Sequence, residues 1–197
     1  MAAVIPADVP PAPRAAELDD VTLARARRGD GRACRELVVR YQRPVFAVLS
    51  RMLVGAHADR VEDLAQETFL RVFRALPGFR PDGPARLSTW ILTIASRLAV
   101  DELRRRRPVA LPLEDAEALP APDRSDASAA RRAHRRVLEE ALAQLDEETR
   151  AMLVLQAFHD VPVDELAREF RVEPGTVKSR LSRARALLRG RFPEVNP

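Results

Sequence analysis

The sequence predicts an all-α protein: two small helical domains joined by a flexible acidic linker. Three observations predict it. Apolar residues recur at helical spacing along most of the chain, with no alternating strand-like runs. Residues 108–128 are rich in proline and acid, a composition that suits an extended tether. Residues 163–191 read as two short helices around a tight turn, the second basic on one side.

Composition bounds the rest. At 197 residues there is room for one or two small domains, and 46% hydrophobic residues can build cores. The net charge is only +4, but it is unevenly placed. Lys178 is the only lysine; every other basic chain is an arginine, which keeps its charge and binds phosphate or guanine bidentately. Cys34 is the only cysteine, which excludes an internal disulfide and a multi-cysteine zinc site. No apolar run suits a signal peptide or a membrane span, so a soluble, cytoplasmic protein is expected, with no direct membrane insertion.

Taken in order, residues 1–16 are a proline-rich leader expected to be disordered. Residues 17–107 form the first domain. Gly29-Asp30-Gly31 separates a short helix from a longer one, and Pro44 should kink or restart the latter. On the helix over 58–76, Val61, Ala65, Phe69, Val72, Phe73 and Leu76 share a buried arc. Asp63, Gln66, Glu67 and Arg74 lie opposite, with Leu70 among them. An isolated exposed leucine and an apolar anchor for a partner are equally consistent with that placement.

A loop rich in glycine and proline follows over 77–87. Ser88 or Thr89 is placed to cap the next helix, whose wide apolar arc marks it as central to its domain. Thr93, Ser96, Arg97 and Arg104 occupy the remaining narrow arc, and Arg104–Arg107 end the helix with four cations. End stabilisation by the macrodipole and phosphate binding are both open for that run. Beyond the linker, residues 129–193 form the second domain, with Asp146 placed to cap a helix.

The closing stretch carries the most information. Pro174 ends one helical pattern, and Thr176 stands where an N-cap belongs. On the helix that follows, Val177, Leu181, Ala184 and Leu188 fall in one narrow arc. Lys178, Ser179, Ser182 and Arg183 fall on the other side. From Thr176 to Arg191 there are cations and no acid. That is the layout of a helix-turn-helix, though a helical hairpin with a solvated basic face would read the same way.

Three stretches, VEDLAQETFLRVFRALPGF, STWILTIASRLAVDELRRRR and VDELAREFRVEPGTVKSRLSRARALL, closely resemble the bacterial sigma factors of the extracytoplasmic-function (ECF) group, in the sigma-70 family. The resemblance covers about Leu18 to Arg191. It implies a factor that binds core RNA polymerase, at the β′ clamp and β flap, and directs it to promoter DNA. An anti-sigma factor is implied as a further partner. By position, Asp63, Gln66, Glu67 and Leu70 match the region 2 surface that docks on polymerase. Arg86, Ser88, Thr89, Trp90 and Arg97 match the part that reads the −10 element as a single strand. Thr176, Lys178, Ser179, Arg180, Ser182 and Arg183 match the −35 recognition helix of region 4. Three positions depart from the family pattern: Leu87 replaces an aromatic residue, Arg97 a frequent asparagine, and Arg171 the glycine of the turn. Arg171 must either take a left-handed conformation or the turn is built differently.

No catalytic constellation is apparent. His57, His134 and His159 are scattered, and no phosphate loop or metal motif is present, so neither an enzyme nor a cofactor or metal is expected. A response-regulator-type transcription regulator would need strand runs in the N-terminal half, and an enzyme acting on nucleic acid would need clustered acids for metal. Neither is seen.

Overall fold

The structure is a computed structural model and describes residues 17–53, 59–105, 137–138 and 140–191. The leader, the whole 108–128 linker, Arg106 and Arg107 lie outside those residues. Every regular element among the described residues is helical.

Helix α1 spans Asp20–Arg27 and is capped by Asp19, whose carboxylate accepts the Thr22 N–H at 2.9 Å. Asp30 caps α2, Gly31–Met52, through the Ala33 N–H at 2.9 Å. Gly29 supplies the left-handed turn between them at φ 82°. Pro44 does not restart α2: the helix runs through it as one element. Helix α3 covers Val61–Ala75 and ends in a 3₁₀ turn, Leu76–Gly78. After a loop comes α4, Leu87–Arg105. Helices α2, α3 and α4 pack mutually, with α1 laid across α2. Leu37, Tyr41, Val45, Leu49, Val72, Ile91 and Ala95 fill the space between them.

In the second lobe, residues 137–143 are helical wherever described. Helix α5, Glu147–His159, takes its cap from Asp146, which accepts the Thr149 N–H at 2.9 Å. Helices α6, Val163–Phe170, and α7, Pro174–Arg191, complete the lobe. Helix α5 is buried on several sides because it also packs on α2 and α4 of the first lobe. The two lobes therefore share one continuous apolar core.

The narrow arc that the apolar residues of α4 leave is itself partly buried. Thr93 and Ser96 are fully buried. Each hydroxyl is satisfied on its own helix: Thr93 donates to the Thr89 carbonyl at 2.8 Å, and Ser96 to the Thr93 carbonyl at 3.0 Å.

Charge also crosses between lobes. The Arg150 guanidinium is buried and donates to the Met52 carbonyl at the end of α2 (2.9 Å) and to the Leu145 carbonyl (3.2 Å). Burial holds its pKa below the usual arginine value. In the other direction, Arg51 of α2 stacks on the Phe158 ring of α5, 4.2 Å from its centroid.

His159 sits beside this contact with Nε2 buried and without a hydrogen-bond partner. Burial, then the Arg51 charge, lowers its pKa from 6.5 to about 4, against an opposing pull from Asp160. The folded chain thus keeps the imidazole neutral while the unfolded chain protonates near pH 6.5. Between those values the unfolded state binds more protons, so stability falls as pH drops, by about 1 kcal/mol per pH unit. The substitution His159→Asn should flatten that limb of stability against pH, read as urea midpoints, and leave the alkaline side unchanged.

Candidate nucleic-acid and polymerase interfaces

Helix α7 starts earlier than the sequence suggested. Pro174 occupies its first turn, where a missing N–H costs nothing and the fixed φ is already helical. Thr176 is therefore inside the first turn and is not the cap; its N–H bonds the Glu173 carbonyl at 2.8 Å. The turn before it closes as a Schellman motif. Arg171 adopts φ 55° and ψ 46°, and the Val172 N–H reaches back to the Ala167 carbonyl at 3.0 Å. The left-handed alternative is thus the one realised, at a cost of about 1–2 kcal/mol for a non-glycine residue.

Val177, Leu181, Ala184 and Leu188 are all buried, as the helical pattern required. Lys178, Ser179, Ser182 and Arg183 are exposed side by side. Ser179 donates to the Thr176 carbonyl and Arg183 to the Ser179 carbonyl, which orders the side chains along the helix. Arg180 is drawn off this face. It is half-buried and pairs with Glu148 at 3.0 Å. Arg185, not among the expected contacts, is likewise held, by Gln156 at 2.6 Å. Arg189 stands exposed one turn beyond Arg185, a position helical spacing alone would have offered.

The second cluster surrounds the start of α4. The Phe79 and Trp90 rings are in tilted contact, centroids 5.1 Å apart, and fix the loop over 79–86 to the helix. Leu87 is buried. Arg86 and Arg97 are exposed and Trp90 is half-exposed. Thr89 is 4% exposed, so this conformation does not present it to a ligand.

Ser88 and Thr89 are not the helix cap either, since α4 already includes Leu87. The capping oxygens come from a distant residue. Glu17 accepts both the Ser88 hydroxyl and, at 3.3 Å, the Ser88 N–H. The same carboxylate accepts the Tyr41 hydroxyl at 3.2 Å. Burial and this carboxylate raise the Tyr41 pKa, keeping the phenol protonated as a donor. Nothing in local sequence spacing announces a cap that arrives from 71 positions away.

The third cluster is a ridge on α3. Asp63 and Gln66 are exposed, Glu67 is half-exposed, and Leu70 retains 50% of its surface. Arg60 pairs with Asp63, and Arg71 with Glu67 at 2.8 Å; the Arg71 hydrogen bond holds the Glu67 carboxyl below its usual range. The neighbouring apolar arc is Leu64, Ala65, Phe69, Val72 and Leu76, with Val61 and Phe73 partly buried. Leu64 and Thr68 join it because α3 packs on both α2 and α4. Among the described residues no three of His, Cys, Asp and Glu converge as metal ligands.

Comparison with known proteins identifies the family. The sigma-70 region 2 family matches residues 37–109, and the sigma-70 region 4 family matches residues 135–188. The RNA polymerase sigma-H factor of Pseudomonas aeruginosa is 32% identical, across 86% of this chain and 91% of its own. The ECF RNA polymerase sigma-E factor of Escherichia coli is 31% identical, across 85% and 90% respectively. The chain belongs to the sigma-70 family, in its ECF group. Such a sigma factor brings RNA polymerase to specific promoters and starts transcription there. Among solved structures, CnrH in complex with the cytosolic domain of CnrY superposes with a TM-score of 0.64 at 26% identity, covering 86% of this chain and 94% of that one. RpoE of Bartonella quintana, solved with the anti-sigma factor NepR, shares the fold at a TM-score of 0.60 and 21% identity, covering 79% and 94%. No helix among the described residues of this sigma factor is long and apolar enough to cross a membrane.

Removing the distant cap should loosen the start of α4. Replacing Glu17 with alanine is expected to cost about 1 kcal/mol, as for other N-cap deletions, measured as a shift in the denaturant midpoint. Glutamine at the same position should recover part of that loss, because its carbonyl oxygen still accepts.

Proposed function

We propose that this sigma factor divides its work among the three surfaces described. The α3 ridge of Asp63, Gln66, Glu67 and Leu70 docks on the β′ clamp of core RNA polymerase. Arg86, Ser88, Trp90 and Arg97 form the edge that meets the single-stranded −10 element, with Thr89 joining them when it is uncovered. Lys178, Ser179, Ser182 and Arg183 read the −35 element in the major groove, with Thr176 and Arg180 at the margin of that face. Residues 17–107 and 129–193 are the working domains, and 108–128 the tether between them. The second lobe also meets the β flap. The factor acts in the cytoplasm, with its polymerase and template, and works by binding without a catalytic step of its own. CnrH was solved with a protein partner, CnrY, and that likeness supports a separate anti-sigma factor as a regulator of this chain too.

The carrying observation is α7. Val177, Leu181, Ala184 and Leu188 are buried in the core, while four adjacent polar and basic side chains stand exposed with no acid among them. A helix of that kind fits the major groove, where base edges carry a donor and acceptor code. Arginine and lysine against guanine supply discrimination, and serine adapts to either partner.

Two measurements test this assignment. Alanine at both Glu67 and Leu70 should weaken competition for core polymerase at least tenfold while the melting transition stays intact; full-strength competition would remove the ridge from the interface. On a −35 duplex bound by holoenzyme, Arg183→Ala should cost about 1–3 kcal/mol and relax preference at one base position. A uniform loss over all sequences would instead make Arg183 a phosphate contact, with the salt slope reduced by about 1.

A further inference from the structure

The outer face of α2 carries charge that none of the three surfaces uses. Arg32, Arg35, Glu36, Val39 and Arg40 recur every three or four residues and line one open groove of about 330 Å³. Arg43, also exposed, continues the row one turn further along the helix. The row thus holds four arginines and one acid. Arg32 approaches that acid, Glu36, only to 3.9 Å. Arg35 and Arg43 make no ion pair among the described residues. Elsewhere in the first lobe Arg25, Arg60 and Arg71 are held by Asp30, Asp63 and Glu67. On α2, by contrast, Arg32 and Arg35, and again Arg40 and Arg43, stand three residues apart, a spacing at which like charges repel. An external anion relieves that repulsion.

The groove runs on into the −10 edge. Arg40, at one end of it, donates to the Glu17 carbonyl at 3.3 Å. The Glu17 carboxylate accepts the Ser88 hydroxyl and N–H at the start of α4, and the hydroxyl of Tyr41. A single residue therefore bridges the arginine row and the helix that carries Trp90 and Arg97.

A phosphodiester backbone and an acidic protein segment both complement such a row in charge. Its form favours the backbone. The charges from Arg32 to Arg43 are strung over about 16 Å of helix, at ~1.5 Å per residue. Apolar surface is confined to two side chains two turns apart, Val39 at 62% exposed and Phe46 at 39%. That is too little for the apolar, aromatic centre of a protein interface, but enough to back a sugar or a base. We propose that the outer face of α2 is a sequence-independent phosphate track for single-stranded DNA, on which the strand leaving the −10 edge is held by its backbone. The origin of the strand rests on the −10 reading given above; the affinity of the row for phosphate does not. Backbone contacts position a strand without reading it, so the track holds melted DNA apart whatever its sequence.

The test compares holoenzymes carrying the wild-type chain, Arg32→Gln/Arg35→Gln/Arg43→Gln, and Arg32→Lys/Arg35→Lys/Arg43→Lys. The probes are a single-stranded −10 oligonucleotide from a randomised promoter selection, and the same strand with an oligo-dT extension at its 5′ or its 3′ end. Fluorescence anisotropy over a salt series reads affinity, and circular dichroism checks that the exposed substitutions leave the fold intact. One extension should tighten wild-type binding about tenfold; the glutamine variant should lose that gain, with the salt slope on the extended probe lowered by about 2 for three lost phosphate contacts. The lysine variant should keep the gain, because a phosphate track needs charge more than shape. All three should bind the short probe alike. An equal gain in wild type and glutamine variant overturns the track, as does no gain from either extension. Unchanged strand binding with weakened competition for core polymerase gives the face to a protein partner and overturns it as well. Arg97→Ala keeps the two premises apart. Unchanged affinity for the short probe in that variant removes the −10 reading, while a gain that only the glutamine variant loses still upholds the track.

Discussion

A buried guanidinium sits at the junction of the two lobes. Arg150 is placed where the carbonyls at the C-terminus of α2 point, so the negative end of that helix offsets part of the cost of burying a full charge. Its second bond goes to Leu145, just before α5 begins. One side chain thereby sets the height of α5 against the first lobe. From that height follow the stacking of Arg51 on Phe158, the burial of His159, and the reach of Glu148 to both Arg104 and Arg180. Losing one partner of a buried charge is costly because the other stays desolvated, so the junction has few intermediate geometries.

Much of the architecture could be read before any coordinates. The apolar arc of α7 and its exposed opposite face follow from spacing alone, because that helix has one core and one solvent side. Leu70 stands out on α3 for the same reason. Asp146 as a cap follows from local chemistry, since the donor it satisfies is three residues away. The conformation of Arg171 was narrowed to two options because the turn needs either a left-handed residue or another geometry.

The illegible parts share a cause: they depend on residues far off in the chain. Thr93 and Ser96 fell outside the apolar arc because a wheel sees one helix, and their burial depends on the other helices packed around α4. Ser88 read as a cap because nothing nearby reveals that Glu17 fills that role. The pairing of Arg180 with Glu148 could not be read, because Glu148 lies 32 positions away in the chain. Thr176 is a different case. The proline before it was taken as an end when it was the first turn of the helix itself, and Pro174 serves that position as well as it ends another.

The run of arginines at the end of α4 has a consequence for sequence drift. Arg104 and Arg180 lean on the same carboxylate from opposite lobes, and Arg105 leans on buried Glu102. Replacing Glu148 would leave two like charges facing each other with nothing between them. Tolerated change at that position therefore calls for simultaneous change in two helices far apart in the chain, and natural variants should show the three positions travelling as a set.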